Sequence, residues 1–260
     1  MVVNIQKKED NRMKNSFGME FKEPVTIFID IETLPSPEPP SLDEIQAPAN
    51  YKDEAKIQAF KESKINEFYR AQALDSMRGQ LLCIGFAIDD GPVQTLIRGM
   101  DGVNSEYDLL EAFSQEIKYC SPVTWCGHNV KTFDLQWLWR KALKFGITAL
   151  AQKIPRERYS RDVVDTLELW AGPDYRDRTS LDAIAQFLGL QGKTGDLDGS
   201  KVYDFWLEGK LQEIKDYCAR DVELTRSIFN IINGQAEAPK ADVHSEQPAT
   251  TNVMKGDFEF

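Results

Sequence analysis

The amino-acid sequence predicts a layered α/β domain built on a mixed β-sheet. Short, apolar, β-branched runs of strand length come first along the chain and then alternate with segments of helical periodicity, an order typical of a sheet flanked by helices. Hydrophobic residues make up 42% of the 260 residues and charged residues 28%, so the chain can bury a core. No run approaches the ~18–20 apolar residues of a membrane-spanning helix.

The cysteines and the two ends of the chain bear on its location. The four cysteines lie far apart without a Cys-x-x-Cys pair, which predicts buried free thiols in a reducing cytoplasm rather than zinc ligands or disulfides. Residues 1–22 are polar and charged, so we expect a flexible leader and no secretory signal. Residues 234–260 are rich in Ala, Pro, Thr, Glu and Gln and are predicted to be a disordered acidic tail.

The folded domain is predicted between residues 23 and 233, where apolar runs indicate strands and spaced apolar residues indicate helices. The predicted strands are residues 25–31, 81–88, 93–98 and 123–126, residues 162–170 begin as a strand or turn, and the predicted helices are residues 53–73, 105–119, 132–145 and 180–188, with one or two more in 207–233. Residues 34–80 are an insertion in this domain. Its prolines forbid a helix at first, and a basic amphipathic helix follows.

The net charge of −11 restricts the kinds of partner. A strongly acidic protein does not bind duplex DNA through a broad basic surface. It can still bind nucleic acid when metal ions, held by its own carboxylates, bridge to the phosphates. The charge therefore argues against a general DNA-binding module and leaves a metal-dependent nuclease open.

Two acids stand at the end of the first predicted strand of the domain. Asp30 and Glu32 are two residues apart, and the period of a strand puts both side chains on one face while Ile29 and Ile31 point into the core. Adjacent carboxylates at the end of an apolar strand repel each other and lose hydration. A divalent cation relieves both costs, and oxygen ligands select Mg²⁺ or Mn²⁺. Alone, the pair could equally be two solvated acids.

Two further acids follow in a helical context. Asp134 comes after Gly127-His128-Asn129, just past a predicted strand and in the first turn of a helix. Tyr217 and Asp221 are four residues apart on a late helix and therefore share a face. The order is thus acid-x-acid on a strand, an acid after Gly-His-Asn, and Tyr-x-x-x-acid on a helix.

These three motifs, Asp30-Ile31-Glu32-Thr33, His128-Asn129-(four residues)-Asp134 and Tyr217-(three residues)-Asp221, resemble those of the tyrosine subclass of the DEDD superfamily of 3′→5′ exonucleases. The chain looks most like the stand-alone predicted exonucleases related to the proofreading domain of family B DNA polymerases. The resemblance covers about residues 25–232. It implies an RNase H-like fold with a five-stranded mixed sheet flanked by helices.

The resemblance also implies roles for the residues of the motifs. Asp30, Glu32, Asp134 and Asp221 would hold two Mg²⁺ or Mn²⁺ ions, and Tyr217 would orient the attacking water. The sibling subclass uses a histidine near the last acid, but the only histidines here are residues 128 and 244, neither near Asp221. The implied substrate is a single strand with a free 3′ end, DNA being favoured, and the product is nucleoside 5′-monophosphates.

Contacts to the substrate are expected on either side of the acids. By resemblance, Thr33 and Leu34 would touch the terminal nucleotide, although they could equally form a strand-exit turn. His128 and Asn129 would face the same cleft, where Asn129 could bond sugar or phosphate or simply cap the following helix.

Other functions remain open on sequence alone. An exoribonuclease would share fold and metal centre, because discrimination of the 2′-hydroxyl depends on pocket shape. A catalytically inactive nucleic-acid-binding scaffold is the second alternative, although all four acids and the tyrosine are present. The tail ends in two aromatic residues among acids, which could dock on a replication protein or remain a plain disordered end.

Overall fold

The structure, a computed structural model, describes residues 12–14, 20–22, 24–157, 159–174, 176–192 and 197–239. Within these residues the chain forms the strands β1 (Arg12–Lys14), β2 (Glu20–Lys22), β3 (Val25–Leu34), β4 (Gln80–Ile88), β5 (Gln94–Ile97), β6 (Val123–Gly127) and β7 (Val163–Asp165). Its α-helices are α1 (Glu54–Ala71), α2 (Glu106–Glu116), α3 (Asp134–Lys144), α4 (Thr148–Lys153), α5 (Thr166–Ala171), α6 (Leu181–Phe187), α7 (Val202–Leu207) and α8 (Leu211–Ile232).

Five strands form the central sheet, in the order β5-β4-β3-β6-β7. The pairs β3–β4 and β4–β5 are antiparallel, whereas β3–β6 and β6–β7 are parallel. The predicted mixed five-stranded sheet is therefore confirmed. The strands β1 and β2 pair with each other in a separate antiparallel ribbon, within the region predicted as a leader.

Helices cover both faces of the sheet, and β3 shows the alternation that divides them. Ile27 and Ile29 belong to the main core with α2, α3 and α4, and Phe28 packs with Val222 and Phe229 of α8 on the other face. Because side chains alternate along a strand, Asp30 follows Phe28 onto the α8 face. The helices α5 and α6 also pack against α8.

Most predicted elements are present, with differences at their ends. The strand β3 continues to Leu34, so both acids of the first motif lie within it. Residues 162–170 separate into β7 and α5, and α4 was not predicted. The helix of the insertion, α1, is confirmed, although it has no fully buried residue.

Two expectations concern regions that the structure covers incompletely. Residues 1–11 and 15–19 of the predicted leader and residues 240–260 of the predicted tail lie outside the described residues. In the part of the chain that is described, no helix is long and apolar enough to cross a membrane.

Candidate active site

The first motif lies where β3 pairs closely with β4. Asp30 faces Gly85 and Glu32 faces Cys83 across the strands, and a β-bulge follows Glu32. A Cβ atom at Gly85 would lie 2.8 Å from the Sγ atom of Cys218. Glycine at position 85 therefore allows α8 to lie directly against the sheet beside Asp30.

The helix α8 adds a tyrosine, a thiol and a carboxylate to the same face. Tyr217, Cys218 and Asp221 are all buried, because residues spaced three and four apart share the side of the helix that meets the sheet. The Cys218 Sγ atom lies 3.5 Å from the backbone carbonyl of Asp30. One ligand atom each from Asp30, Glu32 and Cys218 lie within 4.8 Å of one another, a separation that one metal ion can bridge.

Asp134 reaches the acids from the other helical layer. It is the first residue of α3 and is 3% exposed, and its Oδ1 atom accepts a hydrogen bond from the backbone N–H of Ile31 at 3.1 Å. The turn that leads to it requires a close backbone approach, since a Cβ atom at Gly127 would lie 3.0 Å from the carbonyl oxygen of Ile29. The hydrogen bond from Ile31 to Asp134 joins the second motif to the residue between the two acids of the first motif.

Burial and neighbouring carboxylates raise the pKa values of Asp30 and Asp134. The pKa of Asp30 is raised well above its usual value by burial and then by the charges of Glu32, Asp134 and Asp221. Burial raises the pKa of Asp134 to about 8, helped by the Asp165 carboxylate and opposed by backbone hydrogen bonds. The Oδ2 atom of Asp30 is buried without a hydrogen-bond partner. Such a cluster of buried oxygen donors, whose negative charges oppose one another, fits a hard divalent cation.

Tyr217 is held at the edge of this cluster. Its pKa is raised by burial, by the charges of Asp221, Glu32 and Asp30, and by a hydrogen bond with Asp221. The guanidinium of Arg220 lies 4.9 Å from the centre of the Tyr217 ring, and its Nη2 atom is 3.7 Å from Oδ1 of Asp221. The phenol is therefore protonated at neutral pH, so its hydroxyl group can serve as a hydrogen-bond donor.

The residues after the acid pair have other contacts. The Thr33 hydroxyl donates a hydrogen bond to the carbonyl of Ala73 at 2.6 Å, which fastens the insertion to β3. Leu34 is 1% exposed and packs with Leu82 and Tyr217. The expectation that Leu34 touches a nucleotide does not fit this arrangement, because residues of α7 and α8 cover the side chain.

His128 and Asn129 shape the neighbouring cleft through bonds of their own. The ring nitrogens of His128 lie 3.0 Å from Thr166 Oγ1 and 3.1 Å from the carbonyl of Thr179, and burial lowers its pKa. Asn129 adopts a left-handed backbone (φ 60°), and its side-chain oxygen accepts a hydrogen bond from Thr132. Both residues line the cleft, but these bonds show a role in holding the loop before α3.

Two residues of the site were not singled out from the sequence. Cys218 belongs to the group of ligand atoms because α8 rests on Gly85, a contact that no local pattern reveals. Arg220 places a cation beside Asp221. It lies within the tyrosine motif, and its position directly before the last acid was the one sequence signal that could have identified it.

Comparison with known proteins agrees with this geometry. Residues 76–233 match the family described as predicted 3′-5′ exonucleases related to the exonuclease domain of PolB. The chain belongs to this family. The match includes Asp134, Tyr217 and Asp221, and the fold brings Asp30, from outside the matched region, to the same place.

A solved structure supports the fold of this exonuclease-family protein. The family B DNA polymerase from the hyperthermophilic archaeon Pyrobaculum calidifontis superposes with a TM-score of 0.51 at 17% identity, over 81% of this chain. The chain spans only 24% of that polymerase, so the similarity establishes an RNase H-like fold and no more. No curated protein sequence matches the chain.

Proposed function

We propose that this member of the predicted 3′-5′ exonuclease family removes nucleoside 5′-monophosphates from the 3′ end of single-stranded DNA, using two divalent metal ions. The observation that carries the proposal is the convergence of four carboxylates from β3, α3 and α8. DNA is favoured through the family's relation to a DNA polymerase domain. We further propose that residues 23–233 suffice for the reaction.

In this proposal Asp30, Glu32, Asp134 and Asp221 hold two Mg²⁺ or Mn²⁺ ions. The fit rests on the hard oxygen donors and on the buried, unpartnered Oδ2 atom of Asp30. When bound, the ions supply Lewis acidity and positive charge at the scissile phosphate. The chain itself contributes positioning: α8 aligns Asp221 with β3, and the Ile31 N–H fixes the Asp134 carboxylate.

Tyr217 is proposed to orient the attacking water through its hydroxyl group. Its pKa is raised, so the group stays protonated and neutral at the pH of the reaction. Its ring packs beside Leu34 and Cys218, which restricts the direction of the hydroxyl. A neutral donor in a fixed direction suits positioning rather than proton abstraction.

The deciding experiment is digestion of end-labelled substrates with Mn²⁺ and, separately, Mg²⁺. A 5′-labelled single-stranded DNA should give a descending ladder, and excess EDTA should stop the reaction. Faster digestion of single-stranded RNA would make the protein an exoribonuclease, and cleavage of circular single-stranded DNA would make it an endonuclease. Binding without cleavage in either metal would indicate the inactive scaffold.

Replacement of Tyr217 tests the role of its hydroxyl. Tyr217→Phe keeps the ring in its packed place, so metal binding should persist while single-turnover cleavage falls by about 10²-fold, within the range for a group that positions a proton-transfer partner. Metal binding can be followed by isothermal titration of Mn²⁺. A wild-type cleavage rate would mean that Tyr217 is ordinary helix packing.

A further inference from the structure

The cleft beside His128 and Asn129 lies at the ends of the strands, on the same side of the sheet as the carboxylates. It encloses about 340 Å³ between the ends of β6 and β7, where His128 and Asn129 face residues 178–180. Phe28 pairs with Cys126 as the last pair of the parallel strands β3 and β6, so the chain leaves β6 toward the cleft near the end of β3 that carries Asp30. Adjacent strands are ~4.8 Å apart, which places the cleft roughly one to two strand spacings from the acids.

Arg178 supplies the positive charge of this cleft. It is exposed, and within the described residues its guanidinium makes no hydrogen bond or ion pair. Most cations of the described surface contact a carboxylate or a carbonyl oxygen, whereas Arg178 contacts neither. Its charge is therefore available to a ligand.

The backbone on either side of Arg178 is held in place. The Asp177 carboxylate accepts hydrogen bonds from the N–H and the hydroxyl of Thr179, the N–H at 2.9 Å. The carbonyl of Thr179 is in turn bound to the His128 ring at 3.1 Å. The loop backbone is thus anchored to the segment that follows β6, so a ligand of Arg178 has to order the side chain but not the backbone.

The remaining lining identifies the chemistry of the ligand. Ser180 contributes a hydroxyl group, the Thr132 hydroxyl already donates to Asn129, Leu167 is the one aliphatic lining residue, and the lining residues include no carboxylate. One guanidinium with several neutral hydrogen-bonding groups suits a singly charged phosphate diester, for which arginine offers a planar fork of donors. A metal ion would be repelled, and a large apolar group would find little to contact.

We infer that this cleft binds an internucleotide phosphate of the single strand, to the 5′ side of the phosphate at the metal centre, with Arg178 as its counter-charge. The inference rests on the proposed function, since the strand's 3′ end must lie at Asp30 for its preceding phosphates to reach the cleft. His128 is then a positioning residue that holds the loop of Arg178. The phosphate of a released mononucleotide has related chemistry, and the test separates the two.

The test measures binding apart from cleavage. Anisotropy of 5′-fluorescein-labelled thymidine oligonucleotides in Ca²⁺ gives Kd at several KCl concentrations, for a dinucleotide and a decanucleotide. Arg178→Met, which keeps length and removes charge, should raise Kd for the decanucleotide about 3- to 10-fold. The slope of log Kd against log salt should fall by about 0.7, the value for one phosphate contact on a single strand. Arg178→Lys should restore part of both.

The matched control is Arg161→Met. Arg161 is also exposed and makes no hydrogen bond or ion pair within the described residues. It precedes β7 and therefore lies at the end of the parallel strands opposite to the cleft. The substitution Arg161→Met should leave Kd and the salt slope unchanged. Equal effects of the two substitutions would overturn the inference, because the loss would then reflect net charge alone.

Two further outcomes would also overturn it. If the Arg178→Met protein has the wild-type Kd and salt slope, the cleft does not bind a phosphate of the strand, even if the enzyme digests DNA. An increased inhibition constant for thymidine monophosphate, without dependence of Kd on strand length, would assign the cleft to the product. If instead the length and salt effects appear while no metal supports cleavage, the phosphate site stands and the exonuclease activity fails.

Discussion

The two ends of helix α3 each bury a charged residue, but the two residues have opposite kinds of neighbours. Lys141, near its end, is 2% exposed, lies 3.0 Å from Glu106 and donates a hydrogen bond to the carbonyl of Gly79. Asp134, at its start, is 3% exposed and is surrounded by other acids. Both charges are favourably placed for the helix dipole, so the difference lies in their partners.

The partners determine what each end contributes. Burial lowers the pKa of Lys141 and raises that of Asp134, and Glu106 opposes the first effect whereas Asp165 adds to the second. The lysine end is a closed ion pair that joins α3 to α2 and to the end of the insertion. At the aspartate end no described residue forms an ion pair with Asp134, as expected of a site that binds a metal ion from solution.

The largest expected effect is at the aspartate end of α3, among the clustered carboxylates. Asp30→Asn removes one of the clustered charges and one ligand, so turnover should fall by at least about 10³-fold, equivalent to about 4 kcal/mol. Because like-charge repulsion is relieved, the melting temperature in EDTA should rise. Single-turnover kinetics and thermal denaturation of the same protein measure both. A fall in both quantities would mean that Asp30 is chiefly structural.

At the lysine end of α3, removing the charge should lower the stability instead of raising it. Lys141→Met leaves the Glu106 carboxylate in a buried site without its cation, and the free energy of unfolding should fall by about 3 kcal/mol. Urea denaturation measures the loss. The double substitution Lys141→Met with Glu106→Gln removes both charges and should recover part of the stability. If the single substitution were neutral, the pair would be no more than a solvated contact.

The pH dependence of stability should distinguish the ends next. The pKa of Asp134 is raised from 3.8 to about 8, so between these pH values the folded protein holds a proton that the unfolded chain has released. The contribution of Asp134 to stability without metal should therefore be greatest at and below about pH 4, fall by up to about 1.4 kcal/mol per pH unit between pH 4 and 8, and level off above pH 8.

Urea denaturation in EDTA at several pH values checks this slope. Asp134→Asn should flatten it, and saturating Mn²⁺ should flatten it too, because a bound cation replaces the proton. Lys141→Met, the control from the other end of the helix, should lower stability and keep the slope. An unchanged slope in Asp134→Asn would assign the pH dependence to other carboxylates.

The same contrast explains what could be predicted from the sequence. Apolar runs identify the strands, and the motifs identify Asp30, Asp134 and Asp221, because these signals are local. The six-residue helix α4 is too short to show helical periodicity. The burial of Leu34 and the exposure of Arg178 depend on how separate segments fold over one another, and no local pattern records that.

The smallest expected effect concerns the cation nearest the aspartate end of α3. Arg220 lies 3.7 Å from Asp221 and partly neutralises a carboxylate that is proposed to bind metal. At a separation of ~6 Å in an aqueous environment, a unit charge and a divalent cation repel each other by about 1.4 kcal/mol. Arg220→Met should therefore strengthen Mn²⁺ binding by up to about tenfold, and Arg220→Lys should leave it near the wild-type value. Isothermal titration without substrate measures the affinity. Weaker binding in Arg220→Met would show that the guanidinium holds Asp221 in its ligand position, and the acid end of α3 would then have a partner within the chain, as the lysine end has.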